Sequence, residues 1–146
     1  GGRLGGGLTR RRTGPPVLDP NYFETHFRTP APLPDWPPEF VIVTAYATTG
    51  ERWTSAANKA ADRRLTEELQ QLGIWKARVT GYSPTSGHAE SGWAADIPFD
   101  AACDLGLRYR QDAIYHVSGD TLSVSFCDGR RRLVTVAPFR ERVREV

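Results

Sequence analysis

Residues 40–46 read FVIVTAY, an apolar and β-branched run that decides the fold of this chain. Both alternating faces of the run are hydrophobic, so a strand formed here would be covered on its two sides. Strands of that kind lie at or near the centre of a sheet. The run therefore predicts a folded core of mixed α/β structure that begins near residue 39.

The residues after this run predict two helices and four further strands. Apolar residues at helical spacing predict a helix that begins at Thr54 or Ser55 and ends at Gly73. The other expected elements are a strand over 74–82, a long loop over 83–96, a helix over 98–110, and strands over 113–117, 121–126 and 132–136. This order, β-α-β-α-β-β-β, predicts an α+β two-layer sandwich in which a five-stranded mixed sheet carries both helices on one face.

The first 38 residues are predicted to form an irregular arm and linker, and residues 39–146 a single α/β domain. The arm is rich in Arg and Gly and holds most of the eleven prolines, so it suits neither a regular helix nor a central strand. Within the arm, the aromatic patch at 22–27 is expected to anchor on the domain. The sequence TPAPLPDWPP at 29–38 predicts an extended, polyproline-like linker.

Length and cysteine content narrow the class of protein. A chain of 146 residues is the size of one domain, and it contains no apolar run of 18 residues, so no membrane contact is expected. Cys103 and Cys127 fall in a predicted helix and a predicted strand, where they suit small buried hydrophobic residues in a reducing compartment. These features predict a cytoplasmic location.

A candidate ligand site follows from the predicted topology. If the strands at 40–46 and 74–82 are parallel and joined by the first helix, their carboxyl ends share one edge with two helix N-termini and the loop 83–96. Helix N-termini make such an edge favourable for anions. The ligand-binding residues predicted there are Thr44, Tyr46, Arg52, Asn58, Glu90 and Trp93.

The loop contains the most chemically suggestive fragment, SGHAESGW at 86–93. A histidine and a carboxylate on one loop can act as a base and its orienting partner, which makes His88 and Glu90 candidate catalytic residues. The alternative is that both are solvated loop residues. No further ligands are spaced for a metal site, and neither a Walker loop nor a GxGxxG motif is present, so no metal and no cofactor are predicted.

Two arginine clusters are candidate contacts for nucleic acid. Arg10, Arg11 and Arg12 in the arm can reach phosphates, and the predicted turn at 130–132 offers a second cluster. No strand carries a paired aromatic stripe, which argues against a platform for base stacking. A solvated arm is the alternative.

Several short motifs occur in an order that is typical of a known family. They are FVIVTAY at 40–46, Asn58 in the early helix, ESGW at 90–93 and RQDAI at 110–114. On these motifs the core, over about residues 39–127, resembles a family of small uncharacterised bacterial proteins known only as a domain of unknown function, DUF 3293. The resemblance implies a bacterial, cytosolic, single-domain protein, and it implies no activity, substrate or catalytic residue.

The leading functional prediction is a binding or regulatory module for an anionic small ligand or a protein partner. The first alternative is a small enzyme that acts on a nucleotide-like or other anionic substrate, with His88 and Glu90 as acid–base residues. The second alternative is a nucleic-acid-associated protein that uses its Arg-rich arm. Convergence of His88, Glu90, Asn58 and Tyr46 in one pocket would favour ligand chemistry, whereas their scatter would favour an interaction domain.

Overall fold

A computed structural model describes residues 18–46 and 54–146. The strands are β1 (His26–Thr29), β2 (Glu39–Thr44), β3 (Lys76–Tyr82), β4 (Ala89–Ala95), β5 (Ala113–Ser118), β6 (Thr121–Phe126), β7 (Val134–Pro138) and β8 (Val143–Glu145). The helices are α1 (Ser55–Leu72) and α2 (Phe99–Arg108), with short 3-10 helices at Pro20–Phe23 and Phe139–Glu141. The strands form one sheet in the order β7-β6-β5-β2-β4-β3-β1-β8.

The predicted five-stranded sheet is wrong, because the sheet has eight strands, although the broad α+β class holds. The three strands that the prediction omitted are β1, β4 and β8, and they lie in the arm, in the expected loop 83–96 and in the C-terminal region. All neighbouring strands are antiparallel except β1 and β8, which are parallel. The sheet is therefore mixed, as expected, but is built mainly from hairpins.

Strand β4 explains most of the error in topology. It forms a hairpin with β3 and lies between β2 and β3, with Thr44 opposite Gly92 and Tyr82 opposite Ala89. Strands β2 and β3 consequently run in the same direction without being neighbours. The sequence of β4 is rich in Ala and Gly and poor in β-branched residues, which is why it suggested a loop. A Cβ atom on Gly92 would lie 2.6 Å from the carbonyl oxygen of Val43, so this pairing requires glycine.

Strand β2 occupies the centre of the sheet, as its sequence predicted. It lies between β5 and β4, and Val41 and Val43 are almost fully buried. The first helix also begins and ends as expected. The Thr54 hydroxyl accepts a hydrogen bond from the Ala57 N–H at 3.0 Å, and Gly73 ends the helix in the left-handed conformation.

The sheet is curled, and the two faces have separate cores. Four strand steps separate β1 from β5, which is about 19 Å in a flat sheet. The rings of Phe27 and Tyr115 nevertheless lie only 5.2 Å apart between centroids, so the sheet bends toward the face that carries them. Both helices pack on the opposite, convex face, where α1 and α2 bury apolar residues against alternate residues of β2.

The aromatic patch at 22–27 anchors on the concave face, as predicted. Phe27 is 2% exposed, and the Tyr115 hydroxyl donates a hydrogen bond to the carbonyl oxygen of Tyr22 at 2.6 Å. The two cysteines are free and fully buried, also as predicted, and burial raises the pKa of the Cys127 thiol to about 12. Neither helix in the described part of the chain is long and apolar enough to cross a membrane.

Candidate functional site

The predicted site residues Thr44 and Tyr46, at the end of β2, form hydrogen bonds that involve backbone groups. The Thr44 hydroxyl donates a hydrogen bond to the carbonyl oxygen of Ser91 at 3.0 Å and accepts one from the Tyr46 N–H at 3.1 Å. The carbonyl oxygen of Tyr46 accepts a hydrogen bond from the side-chain amide of Gln111 at 2.6 Å. These contacts hold the ends of β2, β4 and α2 together. We call the edge that they define the β2 rim.

The second helix is oriented differently from the prediction. Strand β4 ends at Ala95, which lies opposite Val41 near the start of β2. Helix α2 therefore begins at the edge opposite the β2 rim, and its C-terminus returns to the rim at Gln111. The expectation that both helix N-termini meet at one edge is wrong, because the β3–β4 hairpin reverses the chain before α2 begins.

Trp93 lies on the convex face beneath α1. Its indole N–H donates a hydrogen bond to the Thr66 hydroxyl at 2.9 Å, and the Arg78 guanidinium lies 4.3 Å from the centroid of its ring. Arg78 is held in turn by the carboxylate of Asp62, with an N–O distance of 2.9 Å. Trp93 is thus enclosed by side chains of α1 and β3.

His88 and Glu90 form a hydrogen-bonded pair at the β3–β4 hairpin. The Nε2 atom of His88 lies 2.8 Å from Oε2 of Glu90, and the two side chains are 71% and 23% exposed. This geometry suits a base and its orienting carboxylate, and the catalytic role stays a prediction. In residues 18–46 and 54–146, no group of three or more His, Cys, Asp or Glu side chains could hold a metal ion.

The predicted site residues that the structure describes do not lie together in one pocket. Side chains alternate along β4, so Glu90 lies on the concave face, whereas Trp93 lies on the convex face. Asn58 lies on the first turn of α1, on the convex side, and its N–H bonds to the Thr54 carbonyl oxygen at 3.0 Å. Arg52 and the cluster Arg10, Arg11 and Arg12 lie outside the described residues.

A cleft that the sequence did not reveal lies between α1 and the end of α2. Its volume is about 320 Å³. The residues that line it are Ala61, Arg64, Glu68, Arg108, Tyr109 and Arg110. Asn58 lies one turn before Ala61 on the same face of α1, so one predicted site residue is a neighbour of the cleft.

The charges around the cleft are unbalanced toward positive. Glu68 accepts hydrogen bonds from the Arg108 guanidinium and, at 3.0 Å, from the Tyr109 hydroxyl. Arg64 and Arg110 form no ion pair with any residue that the structure describes. Burial, assisted by the hydrogen bond to Glu68, raises the pKa of Tyr109 to about 12, so its hydroxyl remains a donor at neutral pH.

Arg110 occupies a backbone position that normally selects glycine. Its φ is 59°, in the left-handed region. The Arg110 N–H donates a hydrogen bond to the Leu107 carbonyl oxygen at 3.1 Å, and the Gln111 N–H donates one to the Gly106 carbonyl oxygen at 2.8 Å. These two bonds form the Schellman pattern of helix termination. A residue with a Cβ atom is disfavoured here by about 1–2 kcal/mol. Strained backbone of this kind clusters at functional sites, and here Arg110 is one of the residues that line the cleft.

The cleft lies inside the part of the chain that matches a known family. Residues 43–114 match the model of a family described as a protein of unknown function, DUF3293. Comparison with curated proteins and with solved structures gives no significant match. The family match confirms the resemblance carried by the motifs at 40–46, 90–93 and 110–114. Over residues 43–114, this chain therefore belongs to the DUF3293 family of proteins of unknown function.

Proposed function

We propose that this domain is a binding module for a small anionic ligand, held in the cleft between α1 and the end of α2. One observation carries the proposal. Arg64, Arg108 and Arg110 line a cleft in which Glu68, already hydrogen-bonded, is the one carboxylate among the lining residues that the structure describes. Arginine forks match the oxygens of phosphate and carboxylate groups, and charge-assisted bonds of this kind are strong.

The size of the cleft supports a small ligand over a macromolecule. Its volume of about 320 Å³ lies at the lower end of the range for small-molecule sites, about 300–1,000 Å³. A phosphorylated metabolite with one or two anionic groups fits this volume and the three arginines. The Tyr109 hydroxyl and the Glu68 carboxylate can fix the orientation of such a ligand.

Stabilisation of α2 is the competing explanation for these arginines. The cleft lies at the negative end of the α2 dipole, where cationic side chains stabilise a helix without any ligand. That effect accounts for Arg108, which is the last residue of α2. It does not account for Arg64, which belongs to α1, or for Arg110, whose conformation is one that side chains disfavour.

The proposal is tested by titration calorimetry at low ionic strength, with pyrophosphate and a nucleoside monophosphate as probes. Arg64→Ala should weaken binding about tenfold or more, because a hydrogen bond to a charged group contributes about 1.5–3 kcal/mol. Arg63→Ala is the matched control, since Arg63 is the exposed neighbour on α1 and does not line the cleft. Equal affinities in the two variants would contradict the proposal.

Arg110→Gly separates binding from stability at the same position. Glycine relieves the left-handed backbone, so the free energy of unfolding should rise by about 1 kcal/mol. The affinity for pyrophosphate should fall at the same time. A variant that loses stability and keeps its affinity would show that Arg110 is a packing residue and not part of a ligand site.

A further inference from the structure

The two helices leave part of the convex face uncovered. Their core on that face includes residues of β2, β4 and β5 but none of β1, β3 or β8. Phe27, Val79 and Val143 of the uncovered strands point into the concave core, so their neighbours in sequence point to the convex side. The side chains on this part of the convex side include the half-buried His26, Arg28 and Tyr82 and the exposed Arg144, and we call these four residues the basic strip.

The basic strip contains an uncompensated pair of like charges. Arg28 and Arg144 are register partners on adjacent strands, and neither forms an ion pair with a residue that the structure describes. Their guanidinium carbons lie 5.0 and 5.8 Å from the centroid of the Tyr82 ring. Like charges on facing residues of neighbouring strands destabilise a sheet, and the aromatic ring offsets that repulsion only in part.

The row of cations continues along β3. Lys76 and Arg78 share the convex side of this strand with Tyr82, and residues two apart on a strand are separated by about 6.6 Å. The Lys76 ammonium lies 5.5 Å from the Trp93 ring centroid, and Arg78 is neutralised by Asp62. Lys76 thus extends the positive charge along β3, whereas Arg78 and Trp93 belong to the contact with α1.

We propose that the basic strip binds the phosphate backbone of a single-stranded nucleic acid without regard to sequence. The guanidinium groups of Arg28 and Arg144 provide the phosphate contacts, for which arginine is suited. The rings of Tyr82 and His26, register partners that lie 5.9 Å apart, offer apolar contact beside them. An extended row of positive charges flanked by aromatic side chains is how proteins hold single strands, and a compact anion needs neither. This surface is separate from the cleft between α1 and α2.

Fluorescence anisotropy with a labelled oligothymidylate of about 20 nucleotides tests the proposal, because one OB-type site covers about 4–16 nucleotides. The test variant is Arg28→Gln/Arg144→Gln, which keeps the long side chains and removes two charges. The control is Lys59→Gln/Arg63→Gln, which removes two exposed charges of α1 outside the strip. We expect the affinity for the oligothymidylate to fall about tenfold or more in the test variant and to stay unchanged in the control. The slope of log affinity against log salt concentration should become less steep by about 1.4, because two phosphate contacts are lost.

The same assay contains the outcomes that would overturn the proposal. One is absence of binding at low salt, and a second is an equal loss of affinity in the test and control variants. A third is a loss of affinity only when Arg10, Arg11 and Arg12 are replaced by Ala. The fourth is competition by polyglutamate as strong as that by unlabelled oligothymidylate. The last result would assign the strip to an acidic protein. Thermal melting checks the fold of each variant, and Arg144→Gln alone, at an exposed position, repeats the test if the double variant unfolds. Unchanged pyrophosphate binding by the test variant would show that the two sites are independent.

Discussion

The two faces of this one sheet are packed by different kinds of side chain. On the convex face, the helices pack on the sheet mainly through aliphatic and small residues, among them Val41, Leu65, Ala95, Ala102 and Gly106. On the concave face no α-helix packs in the described chain, and aromatic rings fill the space. Trp36, from the segment before β2, lies 5.1 Å from both Phe40 and Phe139 between ring centroids.

The difference follows from what covers each face. Where the helix approaches the sheet over a residue without a side chain, as at Gly106, close packing leaves no room for added volume. The concave face is closed by rings from distant segments, and a lost ring there leaves a cavity that the backbone cannot easily close. Substitution by a larger side chain should therefore destabilise the convex face, and substitution by a smaller side chain should destabilise the concave face.

Truncation on the concave face is expected to have the largest effect. Phe27→Ala should lower the free energy of unfolding by about 3–5 kcal/mol, because the ring is fully buried against Tyr115 and Phe139. Urea denaturation followed by circular dichroism measures this loss. Leu33→Ala, at an exposed position in the same N-terminal segment, should change it by less than about 0.5 kcal/mol. A loss below about 1 kcal/mol for Phe27→Ala would show that this segment contributes little to the core.

Enlargement on the convex face should have an intermediate effect. A Cβ atom on Gly106 would lie 2.7 Å from the Cys127 sulfur and 3.2 Å from Cγ2 of Ile114. Gly106→Ala should therefore destabilise the protein by about 1–3 kcal/mol, although alanine favours a helix. Gly129→Ala meets no atom within 4 Å and serves as the control. If Gly106→Ala is instead as stable as the unmodified protein, the helix–sheet contact is looser than the structure indicates.

The smallest effect on the free energy of unfolding is expected from the titration of Tyr109, at the margin of the convex face. Its pKa is near 10 in an unfolded chain and about 12 in the folded protein. Between pH 10 and pH 12, the unfolded state releases a proton that the folded state keeps, so the free energy of unfolding falls as the pH rises. Below pH 10 this contribution to stability is fully present.

Tyr109→Phe should make the alkaline loss of stability less steep. Some loss should remain, because burial also raises the pKa of Cys127 to about 12. Thermal melting from pH 8 to pH 12 compares the variant with the unmodified protein. Identical slopes for the two proteins would mean that the Tyr109 hydroxyl is not buried against Glu68 in solution.

The sequence predicted elements whose signals are local. Strand β2 is uniformly apolar, and α1 has a threonine cap and a terminal glycine, so both were placed correctly. Strand β4 was missed because it is poor in β-branched residues and its Gly92 is selected by close contact with β2 and not by strand propensity. Strand β8 has only three residues, and its partner β1 lies at the other end of the described chain. Pairing of that kind leaves no local pattern in sequence.

The same limit applies to the two candidate binding surfaces. Arg64 and Arg110 come together only because α1 and the end of α2 are adjacent, and the wrong orientation predicted for α2 concealed this. Arg110 at the end of a helix, where glycine is usual, was the one local signal that pointed to the cleft. Arg28 and Arg144 carry no such signal, since β1 and β8 were not expected to be strands.

The parallel contact between β1 and β8 also has a consequence for the order of folding. Phe27 and Val143 are register partners although nearly the whole domain separates them in sequence. The entropy of closing so long a loop must be overcome before the contact becomes favourable, whereas the hairpins β3–β4 and β5–β6 close locally. The edge formed by β1 and β8 should thus be the last part of the sheet to assemble. It should also be the first to exchange its amide hydrogens with solvent, while the half covered by the helices stays intact.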